Sequence, residues 1–348
     1  MDKTAVVILN WNGLDWLKKL LGNVAANTIT ADCSLWVADN GSKDGSMDWV
    51  KEHFPQVRLL DLESNHGFAE GYNRALNQIE ASYYILINSD VEVTPGWAAE
   101  LTGFMDKHPE AAAAQPKILS LWQRDHFEYA GAAGGFIDYL GYPFCRGRLF
   151  NINEKDEGQY DNVTEVFWTS GACMIIRAEA WKRCKGLDPL FFAHMEEIDL
   201  CWRLLLSGYK LYYNPCPVVY HAGGGALPYN SPFKTYLNFR NNLFMLYKNL
   251  PSDKLGGILL KRRFMDGLSA VFFLMKGQFR NIGSIWKAHM DFYRNLGVMK
   301  QRRNDIERLT PENPGRLIMN KSLVFEFYIK GRHTWNRLNT IFLSTHET

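Results

Sequence analysis

Cysteine pairs, membrane-length apolar runs and the usual nucleotide-binding glycine signatures are all missing from this chain. Its six cysteines (Cys33, Cys145, Cys173, Cys184, Cys201 and Cys216) form no C-x-x-C pair, which removes thioredoxin-like and zinc-ribbon chemistry. Several stand in apolar runs, where a free thiol behaves as a small hydrophobe, so a reducing compartment is the expected home. No segment reaches the ~20 apolar residues that span a bilayer, and the N-terminus turns polar too soon for a signal peptide. The expectation is a cytoplasmic protein, with membrane contact at most peripheral on the inner face. Neither G-x-G-x-x-G nor G-x-x-x-x-G-K-[ST] occurs, which disfavours a Rossmann dehydrogenase and a P-loop NTPase. Internal repeats and low-complexity tracts are also absent.

What remains is a well-packed globular composition, 47% hydrophobic and 14% aromatic, long enough for one large domain or two at roughly 150 residues each. Net charge is only +2, but it is unevenly spread. Residues 1–253 carry 22 Lys and Arg against 30 Asp and Glu, and residues 254–337 carry 17 against 6. An acidic globule is thus followed by a basic, aromatic-rich region, which suits an anionic membrane surface or a nucleic acid. No nucleic-acid motif accompanies the charge, so nucleic acid is the weaker partner. A helical subdomain packed on the core, or a homodimer interface, would explain the same pattern.

Strands are predicted at Thr4–Leu9, Leu35–Ala38, Val57–Leu62 and Tyr83–Ile87, alternating with helices at Asp15–Ala26, Met47–Phe54, Ala69–Ile79 and Gly96–Lys107. Such alternation predicts a mostly parallel sheet with helices on both faces. Polar residues follow each strand at once: Asn10 and Asn12, Asp39 and Asn40, Asn65, then Asn88 and Asp90. Ligands of open α/β sheets bind beyond the carboxyl ends of the strands. The glycine-rich stretch Tyr129–Arg148 has no period and reads as a loop over a site or an irregular connection. Val163–Thr169 regains strand character. A helix over Ala178–Cys184 and a patterned one over Glu196–Ser207 precede strands at Leu211–Tyr213 and Val218–Tyr220. Amphipathic helix then runs from Phe233 to about Gly297, followed by a polar, proline-bearing stretch (Gln301–Gly315) and an apolar-aromatic segment (Leu323–Trp335).

Several of these residues could carry chemistry, each with a plainer alternative. Asp90 ends a buried strand, where it can hold a metal or simply open a turn. Glu196 and Glu197 start a helix, where acids complement the macrodipole. The apolar run Phe191–Met195 before them makes one a candidate pocket-wall base. Asp199 and Arg203 are four apart and can pair. His221 follows a strand and precedes three glycines; with Asp90 it makes a carboxylate–imidazole set that suits Mn²⁺ or Mg²⁺ better than Ca²⁺. Gly67 and Gly71 at a helix start invite comparison with phosphate-cradling loops.

Taken in order, four stretches resemble the inverting glycosyltransferases of family 2, closest to the rhamnosyltransferase-like branch, over roughly residues 4–245. Val6-Val7-Ile8-Leu9-Asn10-Trp11-Asn12-Gly13 is similar to the first strand and its loop. Asp39-Asn40-Gly41-Ser42, with Asp44 and Ser46, is similar to the nucleotide-contacting turn. Asn65-His66-Gly67-Phe68-Ala69-Glu70-Gly71-Tyr72-Asn73 matches Asn-x-Gly-Phe-Ala-x-Gly-x-Asn. Ser170-Gly171-Ala172, Gly186-Leu187-Asp188 and Phe191–Arg203 resemble the acceptor-side block that ends in the catalytic carboxylate.

The resemblance implies an α/β GT-A domain over 1–250 and a basic, amphipathic helical region over 251–348. Within the domain, 1–120 would be the nucleotide-binding part and 121–250 the acceptor side. By position, Asn10, Asn12, Asp39 and Ser42 fall on the nucleotide side. Asn65, Gly67 and Asn73 would line the diphosphate pocket. Asp90 takes the last place of a D-x-D metal motif, and His221 that of a further metal or diphosphate contact. Glu197 stands at the base, with Glu196 and Asp199 as alternates. Two departures stand out: Asn88 replaces the first Asp of D-x-D, and Glu replaces Asp at 197. The implied cofactor is Mg²⁺ or Mn²⁺ and the donor a nucleoside-diphosphate sugar. The implied acceptor is a hydroxyl of a glycan or lipid-linked substrate in cell-surface polysaccharide synthesis. The alternatives are a non-catalytic nucleotide-sugar-binding protein at the membrane and a sugar-nucleotide pyrophosphorylase. The latter would want glycine with Arg and Lys after the first strand, and Asn10-Trp11-Asn12-Gly13 supplies no basic residue.

Overall fold

The computed structural model describes residues 2–223, 231–307 and 314–344. Strand and helix alternate as predicted through β1 (Asp2–Asn10), α1 (Leu14–Thr28), β2 (Cys33–Asp39), α2 (Ser46–His53), β3 (Arg58–Asp61), α3 (Gly67–Leu76), β4 (Ala81–Ile87), a short β5 (Val91–Val93) and α4 (Trp97–Lys107). Next come β6 (Ala111–Ser120), β7 (Gly135–Asp138), β8 (Pro143–Cys145), β9 (Arg148–Leu149), β10 (Ile152–Asn153), β11 (Thr164–Glu165), β12 (Cys173–Arg177), α5 (Ala178–Arg183), α6 (Glu196–Leu206) and β13 (Lys210–His221). The chain closes with α7 (Pro232–Asn249), α8 (Ser252–Met275), α9 (Phe279–Arg294), α10 (Leu296–Glu307), β14 (Ile318–Met319), α11 (Leu323–Tyr328) and α12 (Trp335–Ser344).

The large sheet runs β11-β13-β6-β12-β4-β1-β2-β3, with β5 paired to β13. Strands β3, β2, β1 and β4 are parallel, as alternation demands. Beyond them β12 lies antiparallel to both β4 and β6, so the sheet is mixed rather than mostly parallel. Strand β4 sits between β1 and β12 with every residue but Ser82 buried, because its apolar run offers side chains to both faces. Helices α1 and α4 cover one face, and α3, α5 and α6 the other.

Strand β6 has no counterpart in the sequence reading. Its run of four alanines favours helix by intrinsic propensity, yet all four are fully buried in the sheet, where small side chains admit close neighbours. Pro116 lies within this strand and cannot donate to a ladder. The register of β13 slips between Tyr213 and Val218 opposite it. The two strands predicted at Leu211–Tyr213 and Val218–Tyr220 are therefore one bulged strand.

The glycine-rich stretch is neither a loop nor a lid. Strands β7 to β10, joined by β14 from the C-terminal region, make a second, five-stranded sheet. Gly135 shows why glycine is needed there: a Cβ would meet the Trp168 ring at 2.0 Å. Strand character at 163–169 is confined to Thr164–Glu165. The predicted helix from Phe233 to Gly297 is α7, α8 and α9 in succession, and α10 extends into the stretch expected to be polar connection. The Leu323–Trp335 segment is broken at Gly331, whose φ is +65°. All six cysteines are free thiols. No helix among the described residues is long and apolar enough to cross a membrane.

Candidate active site

The carboxyl ends of β1 and β2 build a polar corner. The Asn10 amide donates to Asp39 Oδ1 (3.1 Å), Ser42 Oγ (3.1 Å) and Ser46 Oγ (2.8 Å). Asp39 Oδ2 accepts from the Ser42 amide at 2.8 Å. Asn12 ties the first loop to the second by donating its N–H to Ser42 Oγ and accepting from the Lys43 amide. Asn10 Oδ1 is buried with no partner among the described residues, and a Cβ at Gly13 would stand 2.4 Å from it. The four residues expected on the nucleotide side are thus brought together.

Asn65, Gly67 and Asn73 have different work. Asn65 Oδ1 accepts from the Gly67 amide at 2.8 Å and from Asn40, which makes it a loop brace. Gly67 has φ +76°, and a Cβ there would strike the Phe192 ring at 2.5 Å. The first amides of α3, from Phe68 and Ala69, both donate to the Phe192 carbonyl. That helix start is therefore filled by protein and does not cradle a phosphate. Asn73 spends both ends of its amide on Leu187, N–H to carbonyl at 2.8 Å and carbonyl to N–H at 2.9 Å. In the structure Gly67 and Asn73 help to fasten α3 to the 186–192 segment.

Asp90 and His221 do converge. His221 Nε2 lies 3.1 Å from Asp90 Oδ1, and His221 Nδ1 lies 3.0 Å from Glu128 Oε2. All three side chains are buried. Burial alone would push the imidazolium down, but Asp90 and Glu128 outweigh it and raise the His221 pKa to about 10. The Asn88 amide nitrogen approaches His221 Nε2 at 3.4 Å. As an imidazolium between two carboxylates His221 has no lone pair for a metal, so an ion here would have to displace its proton; the carboxylate–imidazole set then suits Mn²⁺ or Mg²⁺. No cage of three or more His, Cys, Asp or Glu side chains exists among the described residues, so a metal would draw other ligands from the donor. Gly223 follows in a left-handed turn; Gly224 and Gly225 lie outside the described residues.

The turn Ser170–Ala172 joins this strand end to the acceptor side. Ala172 accepts from the Asn88 amide at 3.0 Å, and a Cβ on Gly171 would rest 3.8 Å from that of Glu197. Ser170 fixes the turn, donating its hydroxyl to Ala130 O and its amide to Gln115. At the start of α6, Glu196 Oε2, Glu197 Oε2 and His194 Nε2 are all buried without a partner among the described residues. Burial raises the Glu197 pKa to about 7. Burial and the neighbouring Glu197 raise Glu196 well above the usual carboxylate range. Burial lowers His194 to about 4, which keeps it neutral. Asp199 is held differently within this helix. It is fully buried and bonded to Arg203 (2.9 Å), Lys248 (2.8 Å) and Asn249 (2.9 Å), so no oxygen is free to take a proton.

The segment before α6 is bent and held. Phe192, His194 and Met195 have φ of +65°, +68° and +72°, costly for residues with side chains. Asn241 of α7 donates to the carbonyls of Phe191, Ala193 and His194, and Arg240 to those of Leu190 and Phe191. Asn241, Arg240, Glu128 and His194 were missed from the sequence. An Arg-Asn-Asn run in the middle of an amphipathic helix was the one available signal; Glu128 offered none. The two clearest surface hollows, about 230 Å³ beside Cys184–Pro189 and about 340 Å³ beside Asn73 and Trp181, border neither Asp90 nor Glu197. The strand-end chemistry, not hollow size, locates the site.

A sequence model of the family described as Glycosyl transferase family 2 matches residues 5–182. Rhamnosyltransferase WbbL of Escherichia coli (strain K12) is 34% identical over 285 residues, which cover 77% of this chain and 98% of that protein. The N-acetylglucosaminyl-diphospho-decaprenol L-rhamnosyltransferase of Mycobacterium tuberculosis is 28% identical, covering 63% of this chain and 76% of the relative. The structure of GalNAc-T7 with UDP, GalNAc and Mn²⁺ superposes with a TM-score of 0.55 at 16% identity. That match covers 71% of this chain and 48%, under half, of the longer GalNAc-T7 chain, and it shows the fold alone.

Proposed function

Because the chain belongs to glycosyl transferase family 2, we propose that this glycosyltransferase inverts the anomeric centre of a nucleoside-diphosphate sugar in a single displacement. The relatives' names make a rhamnosyl donor the first candidate. The lipid-linked sugar diphosphate in one relative's name supports a hydroxyl of a glycan or lipid-linked acceptor as the second substrate; its place on the cytoplasmic side, in cell-surface polysaccharide synthesis, is part of the proposal.

One observation carries the reading: a carboxylate with a sealed, unpartnered oxygen stands beside the turn that touches the Asp90 strand. The polar corner of Asn10, Asn12, Asp39 and Ser42 receives the nucleotide. Asp90, and His221 once it gave up its proton, would hold a divalent ion, which would supply charge neutralisation to the departing diphosphate. Glu197 accepts the proton of the acceptor hydroxyl as its oxygen bonds to the anomeric carbon. The bond to the nucleoside diphosphate breaks on the opposite face, so configuration inverts and no sugar is bound to protein. Burial and the neighbouring Glu197 hold the Glu196 carboxyl well above the usual carboxylate range, and Glu197, beside the Gly171 turn, is the member of the pair that acts as base. His194, neutral, is an acceptor or donor for the incoming sugar. The bent Phe191–Met195 segment sets where the hydroxyl can stand.

The test is a panel of nucleotide sugars with Mg²⁺ or Mn²⁺, reading nucleoside-diphosphate release and the configuration of the product. Retention of configuration, or no turnover with any donor, overturns the proposal. Asp90→Ala should weaken metal-dependent donor binding by about 10- to 100-fold, the usual cost of disturbing a metal site. Unchanged calorimetric affinity would remove Asp90 from it.

A further inference from the structure

Helix α8 is built the wrong way round for a helix on a protein surface. Its inward side carries charge: Arg262 Nε donates to Asp266 Oδ1 at 2.7 Å, and His289 of α9 closes on Asp266 Oδ2 at 3.0 Å. Both Arg262 and Asp266 are buried, and Arg262 also lies over the Tyr142 ring. Its outward side is apolar. Leu260 (66% exposed), Phe264 (68%), Leu268 (48%), Val271 and Met275 (82%) follow one another at helical spacing, with Phe272 alongside. Helix α9 carries exposed Phe279, Trp286 and Tyr293 at seven-residue spacing. The Arg263 guanidinium lies over the Tyr293 ring at 5.3 Å and joins the two stripes. Single exposed apolar residues are ordinary, but a continuous set on two neighbouring helices marks a contact surface.

Charge selects the occupant. Residues 254–294 contain eight basic residues (Lys254, Lys261, Arg262, Arg263, Lys276, Arg280, Lys287 and Arg294) against Asp266 and Asp291. Both acids are already paired, Asp266 to Arg262 and Asp291 to Arg294. A second copy docked here about a two-fold axis would set like charges against each other. An anionic lipid surface meets the cations with opposite charge and the apolar stripe with acyl chains. We propose that the outer face of α8, continued by the exposed face of α9, docks in the plane of an anionic bilayer. The docked pair is braced to the acceptor side: Ser284 of α9 donates to the Pro232 carbonyl of α7, the helix whose Asn241 holds the segment before Glu197. The proposal does not depend on the transfer reaction, because its readout is lipid binding.

The full chain is sedimented with phosphatidylcholine vesicles and with vesicles in which about a third of the lipid is phosphatidylglycerol. Binding should appear with the anionic vesicles and fade as salt rises. Phe264→Asp, Leu268→Asp and Met275→Asp together should abolish it. Lys261→Gln with Lys276→Gln should weaken it by roughly fivefold per charge removed. If the apolar variant fails to fold, the charge variant still decides. No sedimentation with either vesicle, or binding equal in wild type and charge variant, overturns the proposal. So does a concentration-dependent dimer, without vesicle binding, that the apolar variant abolishes; that result would assign the face to a second copy.

Discussion

One turn of a single helix treats buried carboxylates in opposite ways. At the start of α6, Glu196 and Glu197 lie in the protein with Oε2 atoms unpartnered among the described residues, and both pKa values are raised. In the same first turn, Asp199 is more deeply buried, yet Lys248, Arg203 and Asn249 surround it and hold its pKa below the usual value despite burial. Arg203 in turn donates to the carbonyls of Cys184 and Gly186, and Lys248 reaches Asp188 at 2.6 Å. The contrast separates two uses of a carboxylate. A satisfied acid holds elements together; in the proposed mechanism, an acid left without a partner is held ready for one that arrives with substrate.

The sharpest way to break this contrast is to remove the unpartnered charge. Glu197→Gln should leave donor binding intact and lower kcat by about 10²- to 10⁴-fold, the range for a general base. In the wild-type enzyme kcat/KM should climb with pH to a plateau above about 7, following ionisation of Glu197. The variant should lack that limb. A fully active variant would move the base elsewhere and erase the distinction between the unpartnered and the paired acids.

On the paired side, Lys248→Met should leave Asp188 and Asp199 under-compensated and cost about 3–5 kcal/mol of stability, as for other buried ion pairs broken on one side. Urea denaturation measures the loss. The reading of Asp199 as structural requires that molecules still folded keep their turnover number.

The smallest effect is also the most discriminating. Glu196 holds a proton in the folded protein over a pH range where the unfolded chain has released it, so its burial costs stability as pH rises above the ordinary carboxylate range. Glu196→Gln removes that cost. Its melting temperature should exceed wild type by more near pH 8 than near pH 5. An equal gain at both would show that Glu196 ionises freely in the native state.

How legible this was depended on where the relevant partners lie in the sequence. The βα alternation through α4 and the strand-end cluster of Asn10, Asp39 and Asp90 could be read because each signal is local: an apolar run that stops at a polar residue. The Asp199–Arg203 pair was legible for the same reason, being one helical turn apart. The bond of Asn73 to Leu187 was not legible, because that partner is 114 residues away and nothing in its neighbourhood announces it. The alanine run of β6 spoke for helix, and only a sheet that needs small side chains there overrules it. Likewise, Tyr129–Arg148 looked structureless because its strands are two to four residues long, and one partner, β14, comes from the far end of the chain.

The grip of Asn241 on the Phe191–His194 carbonyls has a consequence for how such a protein can diversify. The wall beside Glu197 is mechanically an outpost of α7, whereas Asn10, Asp39 and Asp90 belong to the sheet. On the proposed roles, substitutions along α7 would re-aim that wall, and with it the hydroxyl presented to Glu197, while the donor's seat stays as it is. Donor choice and acceptor choice would then be inherited through separate parts of the chain.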